Sequence, residues 1–183
     1  MQKRHENRNI YFKELSITSR NYFIPYIECW HPVEAKMDVL EIGCGEGGNL
    51  LPFSEIGCNT VGVDLAESRI KDAKTFFNES HTKGEFIASD IFNLKKLEQS
   101  FDIIICHDLF EHITEKELFL SNLNKYLKPK VLFLCHSQHG KCHLEVINKY
   151  AETEFCPIYL LFIYSPLPYT DYFWKSLERM QTV

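Results

Sequence analysis

The run Glu41-Ile42-Gly43-Cys44-Gly45-Glu46-Gly47-Gly48 sets a carboxylate, Glu41, just before a glycine-rich turn at the end of an apolar stretch. Gly43 and Gly45 let backbone approach a ligand closely and can adopt positive φ. A helix starting near Gly48 would aim unsatisfied N–H groups at the same place, which suits a carboxylate or a phosphate. Asp64, Asp90 and the run His107-Asp108-Leu109-Phe110-Glu111-His112 each follow another apolar stretch. Asp64 is placed to accept hydrogen bonds from two ribose hydroxyls, and Asp90 from an exocyclic adenine amine. His107, Asp108 and His112 are the candidates for a general base where an acceptor must lose a proton. Any one of these acids alone could cap the helix after it, and Glu111 and His112 could equally serve a helix start or the surface. Their recurrence at successive strand ends beside a glycine loop is what points to a ligand.

The elements that position these residues alternate. MDVLEIG reads as a strand, NLLPFSEIG as a helix closed by Gly57, and NTVGVD as a second strand. AESRIKDAKTFFNES is an amphipathic helix with Ile70, Ala73, Phe76 and Phe77 on one face. EFIASD is a third strand and FDIIICHD a fourth, apolar on both faces as a central parallel strand should be. TEKELFLSNLNKYLKP reads as a helix, with Thr114 and Glu117 spaced as a capping box and Pro129 at its end. VLFLCH is a fifth strand. The fold class is therefore α/β: a Rossmann-like, doubly wound, mostly parallel sheet in three α/β/α layers, its C-terminal part irregular. In such a sheet ligands bind beyond the carboxyl ends of the strands. One domain spans 1–183, with an N-terminal arm and helix over 1–36, a cofactor-binding core over 37–129 and an atypical region over 130–183. Met1 to Glu14 reads as a loose arm, and Pro25 as an interruption in the aromatic stretch behind it. Tyr11, Phe12, Tyr22 and Tyr26 either close over a ligand or pack on the sheet, and Phe155 to Tyr164 reads as core.

Gly43, Gly45 and Gly48 satisfy GxGxxG, with Asp64 roughly twenty residues on, so a nicotinamide dinucleotide and an oxidoreductase are one reading. Glu41 separates it from a second. A carboxylate beneath the loop repels a pyrophosphate but complements the ammonium and sulfonium charges of S-adenosylmethionine. Asp90 has no obligatory partner in the nicotinamide scheme and finds one in adenine. VLEIGCGEGGNL, VGVDLAESRI, FIASDIF and FDIIICHDLFEHI, in that order, resemble the motif set of class I S-adenosylmethionine-dependent methyltransferases, especially those acting on small molecules. The resemblance runs from Val39 to Pro129. It implies that Gly43, Cys44 and Gly45 hold the methionine end with Glu41 beneath. It places Asp64 on the ribose with Leu65 against the adenine, Asp90 and Ile91 at the adenine edge and face, and His107 near the sulfonium. Cys44 is small enough for the loop and is not read as reactive.

Bulk properties fit a small-molecule enzyme. The 183 residues are 45% hydrophobic and 25% charged, as in an ordinary globular domain. A net charge of -5 argues against a nucleic-acid partner. The start is basic with no apolar run behind it, so no signal peptide is read there. Ile158 to Ile163 is too short to cross a bilayer. Seven cysteines without a CxxC pair or a Cys/His zinc pattern indicate reduced thiols, a cytoplasmic setting and no metal.

The resemblance stops after Pro129. Members of the family usually follow this helix with LKPGG, whereas this chain reads LKPKVLFLCHSQHGKCHLEVINKY. Taking each codon from the third base of a written one, with free choice of wobble bases, restores a glycine after Lys128-Pro129. It then gives an FPxWxxPFGGHQ loop like one in related bacterial methyltransferases, GGHQ falling on Glu145, Val146, Ile147 and Asn148. The region from about Lys130 is read as a frameshifted tail, the alternative being a divergent substrate region. VLFLC keeps its hydrophobicity in either frame and can still fill the fifth place in the sheet. A folded, cofactor-binding but inactive remnant is the corresponding non-enzyme reading.

Overall fold

A computed structural model describes residues 7–29, 31–93, 97, 100–123, 126–137 and 159–164. Six strands form one sheet in the order β3-β2-β1-β4-β5-β6. They are β1 (Asp38–Ile42), β2 (Asn59–Asp64), β3 (Glu85–Ala88), β4 (Phe101–His107), β5 (Leu127–Ser137) and β6 (Tyr159–Tyr164). Every pairing is parallel. The chain winds outward from β1 to β3 and then returns to β4 on the other side of β1. The carboxyl ends of β1 and β4 thus flank the switch in direction, where a doubly wound sheet opens a crevice.

Side chains alternate across the sheet, as the period of a strand requires. Val39, Ile103 and Ile105 pack into one core with α1 (Arg8–Thr18), α2 (Ile24–Glu28), α3 (Leu51–Ile56) and α4 (Glu67–Glu79). Leu40, Ile42, Ile104 and Cys106 pack into a second core with α5 (Lys116–Leu123). Two cores on two faces make the three layers. The buried stripe Ile70, Ala73 and Phe77 holds α4 to the first core, while Phe76 is half-buried at its edge. At the opposite end of the sheet from the crevice, the Lys128 ammonium donates to Asp38 (2.6 Å) and Asp102 (2.8 Å), tying β5 to β1 and β4.

Three sequence expectations are corrected. Residues 8–14 are not a loose arm but the start of α1: the Asn7 side chain caps it by accepting from the Ile10 N–H, and Phe12 and Leu15 bury their apolar surface. Pro25 does not interrupt the following helix. A π-helical turn, Ser19–Phe23, precedes it, with the Ile24 N–H reaching back to the Ser19 carbonyl, so Pro25 enters α2 in its first turn where no donor is needed. The helix expected up to Pro129 ends sooner, since Leu127, Lys128 and Pro129 already belong to β5. That strand takes the fifth place beside β4, Leu132 opposite Ile103. Residues 138–158 and 165–183 lie outside the described residues, and with them the Glu145 to Asn148 run; of the aromatic stretch, 159–164 form β6.

Candidate functional site

The glycine loop leaves β1 at Ile42 and turns back over the sheet, with Gly43, Gly45 and Gly47 all at positive φ. Its donors at Gly43, Cys44, Gly45 and Gly47 are used within the protein. The Gly43 and Cys44 N–H groups both donate to the Val63 carbonyl (2.8 and 3.0 Å), and Gly47 N–H donates to the Cys44 carbonyl (2.8 Å). Gly45 N–H donates to one oxygen of Asp64 (2.9 Å), and Ala66 N–H to the other (2.8 Å). Asp64 thereby joins the loop to the β2–α4 turn. Each of its oxygens keeps a further lone pair, because a carboxylate offers about four acceptor sites.

The acceptors are not matched in the same way. Glu41 shares its face of β1 with Val39 and is only 1% exposed. Asn49 Nδ2 donates to its Oε1 (2.7 Å), while among the described residues Glu41 Oε2 has no hydrogen-bond partner and neither has Asn49 Oδ1. Burial, reinforced by the negative charge of Asp64 and opposed by the Asn49 bond, pushes the Glu41 carboxyl up to about 8. Glu46 is equally buried. One oxygen lies between Arg8 (3.8 Å) and Arg69 (3.6 Å), and Oε2 has no hydrogen-bond partner. Three buried oxygens around one loop thus lack a donor among the described residues, a costly state unless a ligand supplies one.

Beside the loop a cleft of about 620 Å³ runs between the tips of β1, β2 and β3 and helix α5. That volume is typical of a small-ligand site. Gly43, Asp64, Leu65, Asp90 and Ile91 all line it, and His112 joins them from a 3-10 turn, Phe110–His112. Asp90 is exposed and accepts the Phe92 N–H (2.9 Å). Leu65 is 76% exposed, an unusual place for a leucine unless something apolar covers it.

The remaining sequence candidates lie behind this cleft. Glu41 is beneath the loop rather than in the cleft wall. The Cys44 side chain turns into the core between Gly62 and Phe86, where burial raises its thiol well above the ordinary range. Gly45 faces Arg69. His107 is buried at the tip of β4, its ring 5.4 Å from that of Phe23 and its Nε2 3.8 Å from Asp108, whose backbone adopts a φ of 49°. Asn49, Glu46 and Arg69 were not read from the sequence. Eight and five residues separate Asn49 and Glu46 from Glu41, but only the turn of the loop brings them around one point.

A family model described as methyltransferase domain matches residues 39–130. A ubiquinone biosynthesis O-methyltransferase from Rickettsia akari is 32% identical over 95 residues, covering 52% of this chain and 38% of that protein. The plantazolicin methyltransferase BpumL, solved in complex with a triazolic desmethylPZN analog and SAH, superposes with a TM-score of 0.52 at 26% identity. The match covers 66% of this chain and 45% of that one. The YcgJ protein of Bacillus subtilis superposes with a TM-score of 0.56 at 28% identity, covering 64% and 49% of the two chains. The chain spans less than half the length of the curated relatives it matches.

Proposed function

The chain belongs to the class I S-adenosylmethionine-dependent methyltransferases, and from that premise we propose that it binds S-adenosylmethionine between the glycine loop and the adjoining cleft and passes the methyl group to a small-molecule acceptor. One observation carries this reading. The loop's N–H donors at Gly43, Cys44, Gly45 and Gly47 are already bonded, while the buried Glu41 Oε2, Glu46 Oε2 and Asn49 Oδ1 have no donor among the described residues. A pyrophosphate needs the donors; an ammonium needs the acceptors. The nicotinamide reading is disfavoured for that reason, since it would set two phosphate charges against Glu41 and Glu46.

The residues present fit the cofactor piece by piece. Glu41, steadied by Asn49, receives the ammonium. Asp64 has lone pairs left for the ribose hydroxyls, Asp90 for the adenine amine, and Leu65 and Ile91 supply apolar faces for the ring. When bound, the sulfonium supplies an already activated methyl group, so the protein's task is mainly to hold the acceptor in line with it. His107, Asp108 and His112 are the groups for taking up an acceptor proton. His112 reaches the cleft, and His107 with Asp108 stands at the β4 tip. A cytoplasmic location is supported by the irregular spacing of the seven cysteines, which fits reduced thiols better than a secreted disulfide framework.

Titration calorimetry with S-adenosylhomocysteine and with NAD tests the assignment. Saturable binding of the first and none of the second at equal concentration is the expected result; tighter NAD binding would end the reading.

A further inference from the structure

The cleft stops at Gly43, while Glu41, Cys44, Glu46, Asn49 and His107 behind it are between 1% and 8% exposed. The seal over them is the N-terminal helix. A Cβ on Gly48 would lie 2.5 Å from the Phe12 carbonyl oxygen and 2.7 Å from Leu15 Cβ, so α1 rests directly on the loop. Ser19 Oγ donates to the Asn49 carbonyl (2.7 Å), and Phe23 covers His107. Whatever pairs with the buried oxygens has to pass this helix.

The two halves of the seal are held differently. Ser19 and Phe23, in the π-helical turn, are both 0% exposed and anchored on the loop and on β4. Ahead of them α1 buries Phe12 and Leu15 but exposes Ile10 and Ile17, and its first turn is tied from the solvent side by Arg8, which hydrogen-bonds Asp72 on α4 and faces Glu46 across 3.8 Å. A helix that changes its winding at a fixed point and is tied at its free end by accessible charges can pivot there. We propose that α1 is a gate over the cofactor's cationic end, hinged at the Ser19–Phe23 turn and latched by Arg8 to Asp72 and Glu46. The proposal rests on the cofactor site argued above and adds how that site is reached.

The test uses the full chain and S-adenosylhomocysteine, whose net charge near zero keeps long-range steering small. Association rates are read by surface plasmon resonance, and opening by amide hydrogen exchange along residues 8–28. Arg8→Gln and Asp72→Asn should each speed association by about two- to fivefold, the range expected on losing one accessible ion pair. Both should raise exchange in 8–18 and leave 24–28 unchanged. Arg20→Gln, which removes the ion pair from the hinge turn itself to Glu55 on α3 and leaves the Arg8 latch intact, should change neither. Equal association rates in wild type, R8Q and D72N would make α1 a fixed wall and overturn the gate. Should wild type fail to bind the ligand, the cofactor reading fails separately. The exchange data then still decide the hinge, which is overturned by a rise across all of 8–28 or by no rise.

Discussion

Glu41 is a carboxylate that folding alone does not favour. In the unfolded chain it ionises near 4.5, whereas in the folded protein burial moves it up to about 8. A carboxyl whose folded value is raised stabilises the protein fully below the unfolded value and loses that contribution as pH climbs through the folded one. Between about pH 5 and 8 the ligand-free protein should therefore lose stability, and Glu41→Gln should flatten the loss; thermal melts across that range read it directly. Binding has the opposite sign. An ammonium pairs with the ionised carboxylate, so affinity for S-adenosylhomocysteine should rise with pH up to about 8 in the wild type, and this rise should vanish in E41Q. At pH 8 the substitution should weaken binding by roughly 10- to 100-fold, as for a hydrogen bond between charged groups. A wild-type affinity independent of pH would remove Glu41 from the site.

At the scale of elements, the contact between α1 and the first turn after the loop is the decisive one. Gly48→Ala puts a methyl group against the Phe12 carbonyl and Leu15 Cβ. Because backbone lies on one side and a packed core residue on the other, it should cost about 1–3 kcal/mol in urea unfolding; an unchanged midpoint would mean that α1 is not seated on the loop. This contact also marks where the sequence stops being readable. Period and composition were enough for β1, β2 and β4, because runs such as Ile103 to Cys106 are apolar at every position. The strand-end rule was enough to bring Asp64 and Asp90 to one cleft. Glu41 could be read as beneath the loop but not as sealed there, because the seal comes from Phe12, Leu15 and Ser19, some twenty to thirty residues away along the chain. Residues 8–14 looked like an arm since their polar side chains outnumber the apolar ones. Their helix is fixed by a tertiary contact that local pattern does not contain. The pairing of Asn49 with Glu41, and of Arg69 with Glu46, depends on loop geometry and leaves no periodic signal.

At the scale of the whole molecule, the described residues form a six-stranded parallel sheet between two apolar cores, with a candidate site at its switch point. The family match ends at residue 130, where the third-base reading begins to give a family-like loop, and we propose that a lost base explains both. Sequencing the gene through the codon of Lys130 checks it. The expected result is an open shifted frame that encodes glycine after Lys128-Pro129 and GGHQ opposite Glu145 to Asn148; a stop or an unrelated reading there would leave the tail as a substrate region of its own. What the molecule as a whole is for depends on the charge that its loop is proposed to accept. Calorimetry comparing S-adenosylhomocysteine with the analogue lacking only its amino group isolates that charge. A loss of at least about tenfold in affinity is predicted, as for one charged hydrogen bond in a buried site, whereas equal affinity would contradict the placement of a cation on Glu41.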